Sequence, residues 1–270
     1  MNGCKYICLL FLLATGWAGA KDVLTFSTPP TQTAESTRYL YQPIADYLAK
    51  VSGKKVKLVI ADNFIEYSQA LLDDKYDIVF DGPQFIGWRI KKRNHEALAK
   101  LPRKLNFLVF VREDAGINKL RKLAGKRVCG IGSPNLMTLG LLDMFPNPAA
   151  VPTIIPVKSF KQALVCVQKK GAVAAVVRNK FWHSRKPEQK KGLKLLYEAT
   201  HDWPDRGFSI NKSIDAQTRR KMHDALLDPQ VRTVARRLFK KYKTRKFIPA
   251  TNQEYAPLGK LLKPIWGFHE

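Results

Sequence analysis

The chain has 270 residues, 45% of them hydrophobic, and carries 47 Lys and Arg against 22 Asp and Glu, a formal net charge of +25. That length and apolar content exclude a disordered chain and a disulfide-built miniprotein, and suffice for one large domain or two lobes with their own cores; two lobes are expected. The basic residues lie in short scattered clusters (Lys91-Lys92-Arg93, Lys126-Arg127, Lys169-Lys170, Lys190-Lys191, Lys240-Lys241), which argues against a nucleic-acid groove and for a generally cationic surface.

Lys5, the apolar run Tyr6 to Leu13 and the small residues Ala18-Gly19-Ala20 have the layout of a cleavable secretory signal, residues 1–20, cut after Ala20. The run is much shorter than the roughly 20 apolar residues of a spanning helix. An exported protein meets little nucleic acid. A small anionic solute or an anionic membrane surface is the better partner for its charge, the alternative being a basic surface with no specific partner. Only Cys129 and Cys166 follow the cut. An oxidising compartment permits a bridge between them, and two buried thiols are the equal alternative.

Val23 to Thr28 reads as a first buried strand, followed by the loop Pro29-Pro30-Thr31-Gln32-Thr33. Leu40, Ile44, Tyr47 and Val51 repeat at helical spacing up to Gly53, with Pro43 expected to kink the helix or delay its start. Val56 to Ala61 is the second strand, Asn63 and Glu66 open a helix through Leu72, and Tyr76 to Phe80 is the third strand. Alternation of this kind implies right-handed βαβ units and an α/β lobe with a mostly parallel sheet. The third strand stops at Gly82-Pro83, and Gln84, Phe85, Ile86, Trp88 and Arg89 follow at once. A strand's carboxyl end is where open α/β sheets place ligands, so this turn is expected to floor a binding crevice.

After a basic stretch, Lys91 to Lys104, a second α/β set follows: strands at Asn106 to Arg112, Arg127 to Ile131, Thr153 to Val157, Ala172 to Val177 and Leu193 to Tyr197, with helices at Leu136 to Met144 and from Ser159 to Lys169. The turn Gly132-Ser133-Pro134-Asn135 and the helix behind it form an anion-ready terminus, and Arg178 and Asn179 sit at another strand's carboxyl end. Gly207 to Asn211 crosses back to the first lobe, and helices are expected at Asp215 to Leu227, Val231 to Tyr242 and near Tyr255 to Leu262. The five histidines are scattered without metal-ligand spacing, and no nucleophile elbow, dinucleotide fingerprint or phosphate-binding loop is present. Neither a cofactor nor a metal is expected, and the crevice reads as binding without turnover.

Thr28-Pro29-Pro30, Tyr41-Gln42-Pro43-Ile44-Ala45-Asp46-Tyr47-Leu48, Tyr76 to Pro83, Val111 to Ile117, Leu120 to Val128, Phe247-Ile248-Pro249 and Tyr255 to Leu262 occur in an order that resembles the phosphonate/phosphite-type periplasmic solute-binding proteins of ABC transporters. The resemblance implies a two-lobed type II periplasmic-binding-protein clamshell, each lobe a mostly parallel sheet flanked by helices. Lobe 1 would take residues 21–107 and 208–270, and lobe 2 residues 108–207. It implies a small oxyanion held between the lobes and delivered to an inner-membrane permease. The family's Ser-Thr-Ser-Gly turn is here Ser133-Pro134-Asn135-Leu136, with two hydroxyls missing and one backbone N–H removed. Arg178 or Asn179 stands where some members carry an acidic residue for a ligand amine, which disfavours an aminophosphonate.

Thr31, Gln84, Ser133, Asn135 and Arg178 are therefore expected to hold a phosphate-, phosphite- or phosphonate-like anion, with Phe85 packing over it. Two alternatives keep the fold: a hydrophobic or lipid-like solute lined by Phe85, Ile86, Trp88, Leu136 and Met137, or a ligand-sensing protein that reports to a membrane kinase. An enzyme is not expected.

Overall fold

The computed structural model describes residues 21–265, 267 and 268; the expected signal, residues 1–20, lies outside them. No helix among the described residues is long and apolar enough to cross a membrane. The chain begins as β1 (Val23–Ser27), α1 (Ala34–Ser52), β2 (Lys55–Val59), α2 (Phe64–Leu72) and β3 (Ile78–Asp81). Thr33 caps α1 by accepting from the Ser36 N–H, and Asn63 caps α2 by accepting from Ile65 and Glu66, so both helices start where a short polar side chain takes up free donors. Pro43 neither delays α1 nor breaks it. It cannot donate to the carbonyl of Tyr39, one turn back. Arg237 supplies that bond instead, its Nη1 lying 3.2 Å from the oxygen and its guanidinium 3.8 Å from the centre of the Tyr39 ring.

The Gly82-Pro83 step is a helix start as well as a turn. Gly82 is the cap and Pro83 the first residue of α3 (Pro83–Lys92), a position where a missing N–H costs nothing. The basic stretch after it contains β4 (His95–Lys100) and β5 (Lys104–Leu105). The chain then crosses into β6 (Phe107–Arg112), β7 (Arg127–Ile131), α4 (Leu136–Asp143), β8 (Thr153–Val157), α5 (Phe160–Gln168), β9 (Ala174–Arg178), α6 (Asn179–His183) and β10 (Leu193–Glu198). It returns through β11 (Trp203–Pro204) to β12 (Gly207–Asn211), α7 (Ala216–Leu227), α8 (Val231–Val234), α9 (Arg236–Tyr242), β13 (Ile248–Pro249) and α10 (Asn252–Tyr255), ending in a 3-10 segment, Ala256–Leu262. The expected single helix Val231 to Tyr242 is interrupted at Ala235, whose φ of −90° and ψ of 13° lie outside α-helical geometry.

Two sheets result. The first has strand order β13-β4-β12-β3-β1-β2 and the second β10-β6-β9-β7-β8. In each, three parallel strands form the βαβ unit (β2, β1, β3 and β8, β7, β9); the next strand, β12 or β6, runs antiparallel to it, and the one beyond, β4 or β10, reverses direction again. The two crossings pair with each other, Trp203 opposite Leu105 and Pro204 opposite Lys104. The molecule is a two-lobed clamshell of the type II periplasmic-binding kind.

Apolar side chains pack on both faces of the sheets. Phe26, Ile44, Leu48, Phe80 and Phe208 fill one side of the first sheet, while Phe110, Leu164 and Val177 lie under α5 in the second. Cys129 of β7 and Cys166 of α5 form a disulfide, so α5 is tied covalently to its sheet. Ile86 and Trp88 are core residues rather than cleft residues. Trp88 packs edge-on against Phe268, and Gly87 allows the final segment to approach so closely that a Cβ there would meet the Tyr255 carbonyl oxygen at 2.2 Å.

Candidate functional site

A cavity of about 310 Å³ opens between the lobes at the carboxyl ends of β1, β3, β7 and β9. Parallel strands end together there and their connections splay apart, which leaves a crevice in this kind of sheet. All six residues expected from the sequence line it: Thr31 after β1, Gln84 and Phe85 in the first turn of α3, Ser133 and Asn135 between β7 and α4, and Arg178 at the end of β9.

Their hydrogen bonds distinguish them. Gln84 reaches across the cleft, its Nε2 donating to the Pro134 carbonyl at 2.9 Å, while its Oε1 is buried with no partner. Asn135 uses Oδ1 to accept from the Met137 N–H at 3.1 Å, which consumes one donor of the α4 terminus and leaves the Asn135 NH₂ available. Thr31 and Ser133 have side chains without a protein hydrogen-bond partner among the described residues, and Thr31 is exposed. Arg178 makes no salt bridge among the described residues, and its Nε is buried without a partner. Burial, and then the repulsion of Arg103, push its pKa down from the ordinary arginine value. The side chain remains a cation, held where its charge is poorly solvated.

Three further cavity residues come from the crossings and the C-terminal helices: Arg103, Arg206 and Tyr242. Arg206 Nη1 donates to the Tyr242 hydroxyl at 3.0 Å, and Arg103 Nη1 donates to the Tyr242 carbonyl at 2.9 Å. Both guanidinium groups lie over the Tyr242 ring, 5.1 and 5.4 Å from its centre. Asp205 pairs with Arg103 and also accepts from the Arg206 N–H at 2.7 Å. Beneath Gly82, Asp81 is neutralised by Arg89 at 2.8 Å and also hydrogen-bonded by Tyr67. Both cavity carboxylates are thus matched by an arginine. Arg178 and Arg206 are left with no carboxylate pair among the described residues. The site carries two uncompensated positive charges, which suits a dianion.

The family model of ABC transporter, phosphonate, periplasmic substrate-binding protein matches residues 26–255. The chain belongs to this family. No curated protein matches it. Among solved structures, it is similar to PhnD1 of Prochlorococcus marinus in complex with methylphosphonate, with 15% identity and a TM-score of 0.62 over 90% of this chain and 98% of that one. It is similar to XAC2383 of Xanthomonas citri bound to ATP, with 17% identity and a TM-score of 0.71 over 93% of this chain and 100% of that one. A binding protein component of an ABC phosphonate transporter from Pseudomonas aeruginosa is 16% identical, with a TM-score of 0.60 over 89% of this chain and 85% of that one. At such identities the likeness carries the fold.

As a periplasmic substrate-binding protein of this family, the chain is a solute binder whose place is the periplasm. Its cleft wall is also apolar in part: Phe85, Leu136 and Met137 line it, as the sequence suggested, joined by Phe64, Leu105 and Phe160. Arg103, Arg206 and Tyr242 were not legible as cleft residues, because nothing in their local sequence marks them. The antiparallel register Gly207 opposite Asp81 is what brings Arg206 beside the β3 turn.

Proposed function

We propose that this protein is the component of its ABC transporter that captures a small phosphoryl-type oxyanion, phosphate-, phosphite- or phosphonate-like, in the cavity between lobe 1 (21–107 and 208–270) and lobe 2 (108–207), and presents it to the inner-membrane permease without turnover. The observation that carries the reading is the pair of cations without carboxylate partners, Arg178 from one lobe and Arg206 beside the other. Thr31, Ser133 and Asn135 add neutral donors, and Phe85 packs beside them. This donor set replaces the hydroxyl-rich turn with guanidinium groups, which bind tetrahedral oxyanions through paired charged hydrogen bonds. The methylphosphonate bound by the Prochlorococcus protein supports the ligand class.

The expected test is calorimetric titration of the exported form with methylphosphonate, phosphite and phosphate. Saturable binding of at least one, weakened strongly by Arg178→Met, supports the reading; no binding of any sinks it. Contact with an anionic membrane surface belongs to the same proposal. Arg232, Arg236, Arg237, Lys240 and Lys241 are exposed on α8 and α9, and none has a salt bridge among the described residues.

A further inference from the structure

The cleft has two chemically different ends, and the strand orders determine which is which. In the first sheet Lys100, Gly207 and Asp81 form one row across β4, β12 and β3, with β1 and then β2 beyond. Arg103 and Arg206 therefore leave the sheet on the side of the crossings, and Phe64, the first residue of α2 after β2, on the opposite side. In the second sheet Arg178 stands opposite Phe107, next to the crossing, while β7 and then β8 lie farther away. Phe160, the first residue of α5 after β8, is again on the far side. The cations gather at the inner end of the cleft, with the Tyr242 ring between two of them, and Phe64 and Phe160 stand at its outer end.

The apolar end does not stop at the cleft. A second cavity of about 220 Å³ shares Phe64, Phe85, Ser133 and Pro134 with it, is walled further by Ser68, Leu72 and Phe268, and has no charged residue among those lining it. Water occupies only about 30 Å³ of liquid, and a bare tetrahedral oxyanion has five heavy atoms. Such an ion would occupy the inner end of the cleft and leave the rest, and all of the second cavity, unfilled.

We infer that the ligand is an amphiphile: a phosphoryl-type dianion at Arg178, Arg206 and Tyr242, carrying an apolar substituent that lies between Phe64, Phe85 and Phe160 and reaches into the second cavity. This rests on the oxyanion reading above and adds the substituent. Each buried methylene tightens binding about fourfold, so hexylphosphonate gains roughly a hundredfold or more over methylphosphonate even with incomplete burial.

Calorimetric titration of the exported protein with methyl-, butyl-, hexyl- and phenylphosphonate, and with 1-hexanol, tests this. The expected result is affinity that climbs with chain length, no measurable binding of 1-hexanol, and a gain for hexylphosphonate that the Ser68→Trp variant, which fills the second cavity, removes while methylphosphonate binding stays within about twofold. Equal affinity for methyl- and hexylphosphonate would overturn the amphiphile and leave the oxyanion reading standing. Binding of 1-hexanol as tight as hexylphosphonate would overturn the dianionic head. Binding of none of the five would overturn the amphiphile, and failure of phosphate and phosphite as well would overturn the oxyanion reading with it.

Discussion

Replacing Arg178 by Met keeps the length and apolar stem of the side chain and removes its charge. In the ligand-free protein this guanidinium is expected to be destabilising: it is half-buried, its Nε lacks a partner, and Arg103 repels it more than Asp205 attracts it. Exchanging a poorly compensated buried charge for an apolar group stabilises by about 1 kcal/mol at the lower end of the observed range, which for a chain of this size raises the melting temperature by roughly 2–4 °C. Binding should move the other way. Removing one partner of a desolvated charge pair costs about 2–4 kcal/mol, or roughly 30- to 1000-fold in affinity. The assay is a pair of measurements on one variant, thermal unfolding without ligand and calorimetric titration with the oxyanion. A more stable protein that binds far more weakly marks a residue kept for its ligand. A lower melting temperature with unchanged affinity would refute the reasoning and make Arg178 a structural residue.

Three other expectations follow from particular contacts. His95 lies buried in the first sheet, its Nδ1 3.2 Å from Ser209 Oγ and its Nε2 unpartnered, 3.7 Å from Asp74. Burial holds its pKa below the ordinary 6.5, with Asp74 pulling upward and Arg89 downward. The unfolded chain then binds the proton more readily, so this contribution to stability is whole above 6.5 and is lost as pH falls from there through the depressed folded value; denaturant unfolding at pH 7 and pH 5 should show a decline that His95→Asn reduces. The Cys129–Cys166 bridge closes a loop of sequence separation 37, for which chain entropy gives a stabilisation of about 4 kcal/mol as an upper expectation; the double Cys→Ala variant should melt several degrees lower, and an unchanged melting temperature would mean the bridge contributes nothing. Charge reversal of Arg232, Arg236 and Arg237 together should abolish co-sedimentation with vesicles rich in anionic lipid while leaving oxyanion affinity within about twofold; equal sedimentation before and after would remove these helices as the contact surface.

The βαβ units were legible because their signals are local. Val23 to Ser27, Arg127 to Ile131 and Thr153 to Val157 are short apolar runs rich in β-branched residues, and the caps Asn63 and Ser159 stand directly before helical periodicity. Helix α3 was not, because Gly82-Pro83 carries a turn signal and Gly87 weakens the helical one. Gly87 is needed there for a contact with residues more than 160 positions away, where the final segment packs. Strand β4, His95-Glu96-Ala97-Leu98-Ala99-Lys100, has no β-branched residue and owes its conformation to pairing with β12 and β13. The cleft follows the same division. Residues at the carboxyl ends of the parallel strands could be named from sequence, since the topology alone puts them there. Arg103, Arg206 and Tyr242 arrive through antiparallel returns and a helix end, and only the assembled register brings them together.

The account rests on an anion held by Arg178 and Arg206 in a preformed cavity, and the most direct test is thermal unfolding of the exported protein across concentrations of phosphate, phosphite and alkylphosphonates. A ligand bound only by the folded state stabilises it by about 2.7 kcal/mol at a hundredfold excess over Kd. The account predicts a melting temperature that climbs with the concentration of at least one phosphoryl oxyanion, and a climb that Arg178→Met suppresses. A melting temperature indifferent to every oxyanion, in a protein that carries a neutral apolar molecule through purification, would contradict it.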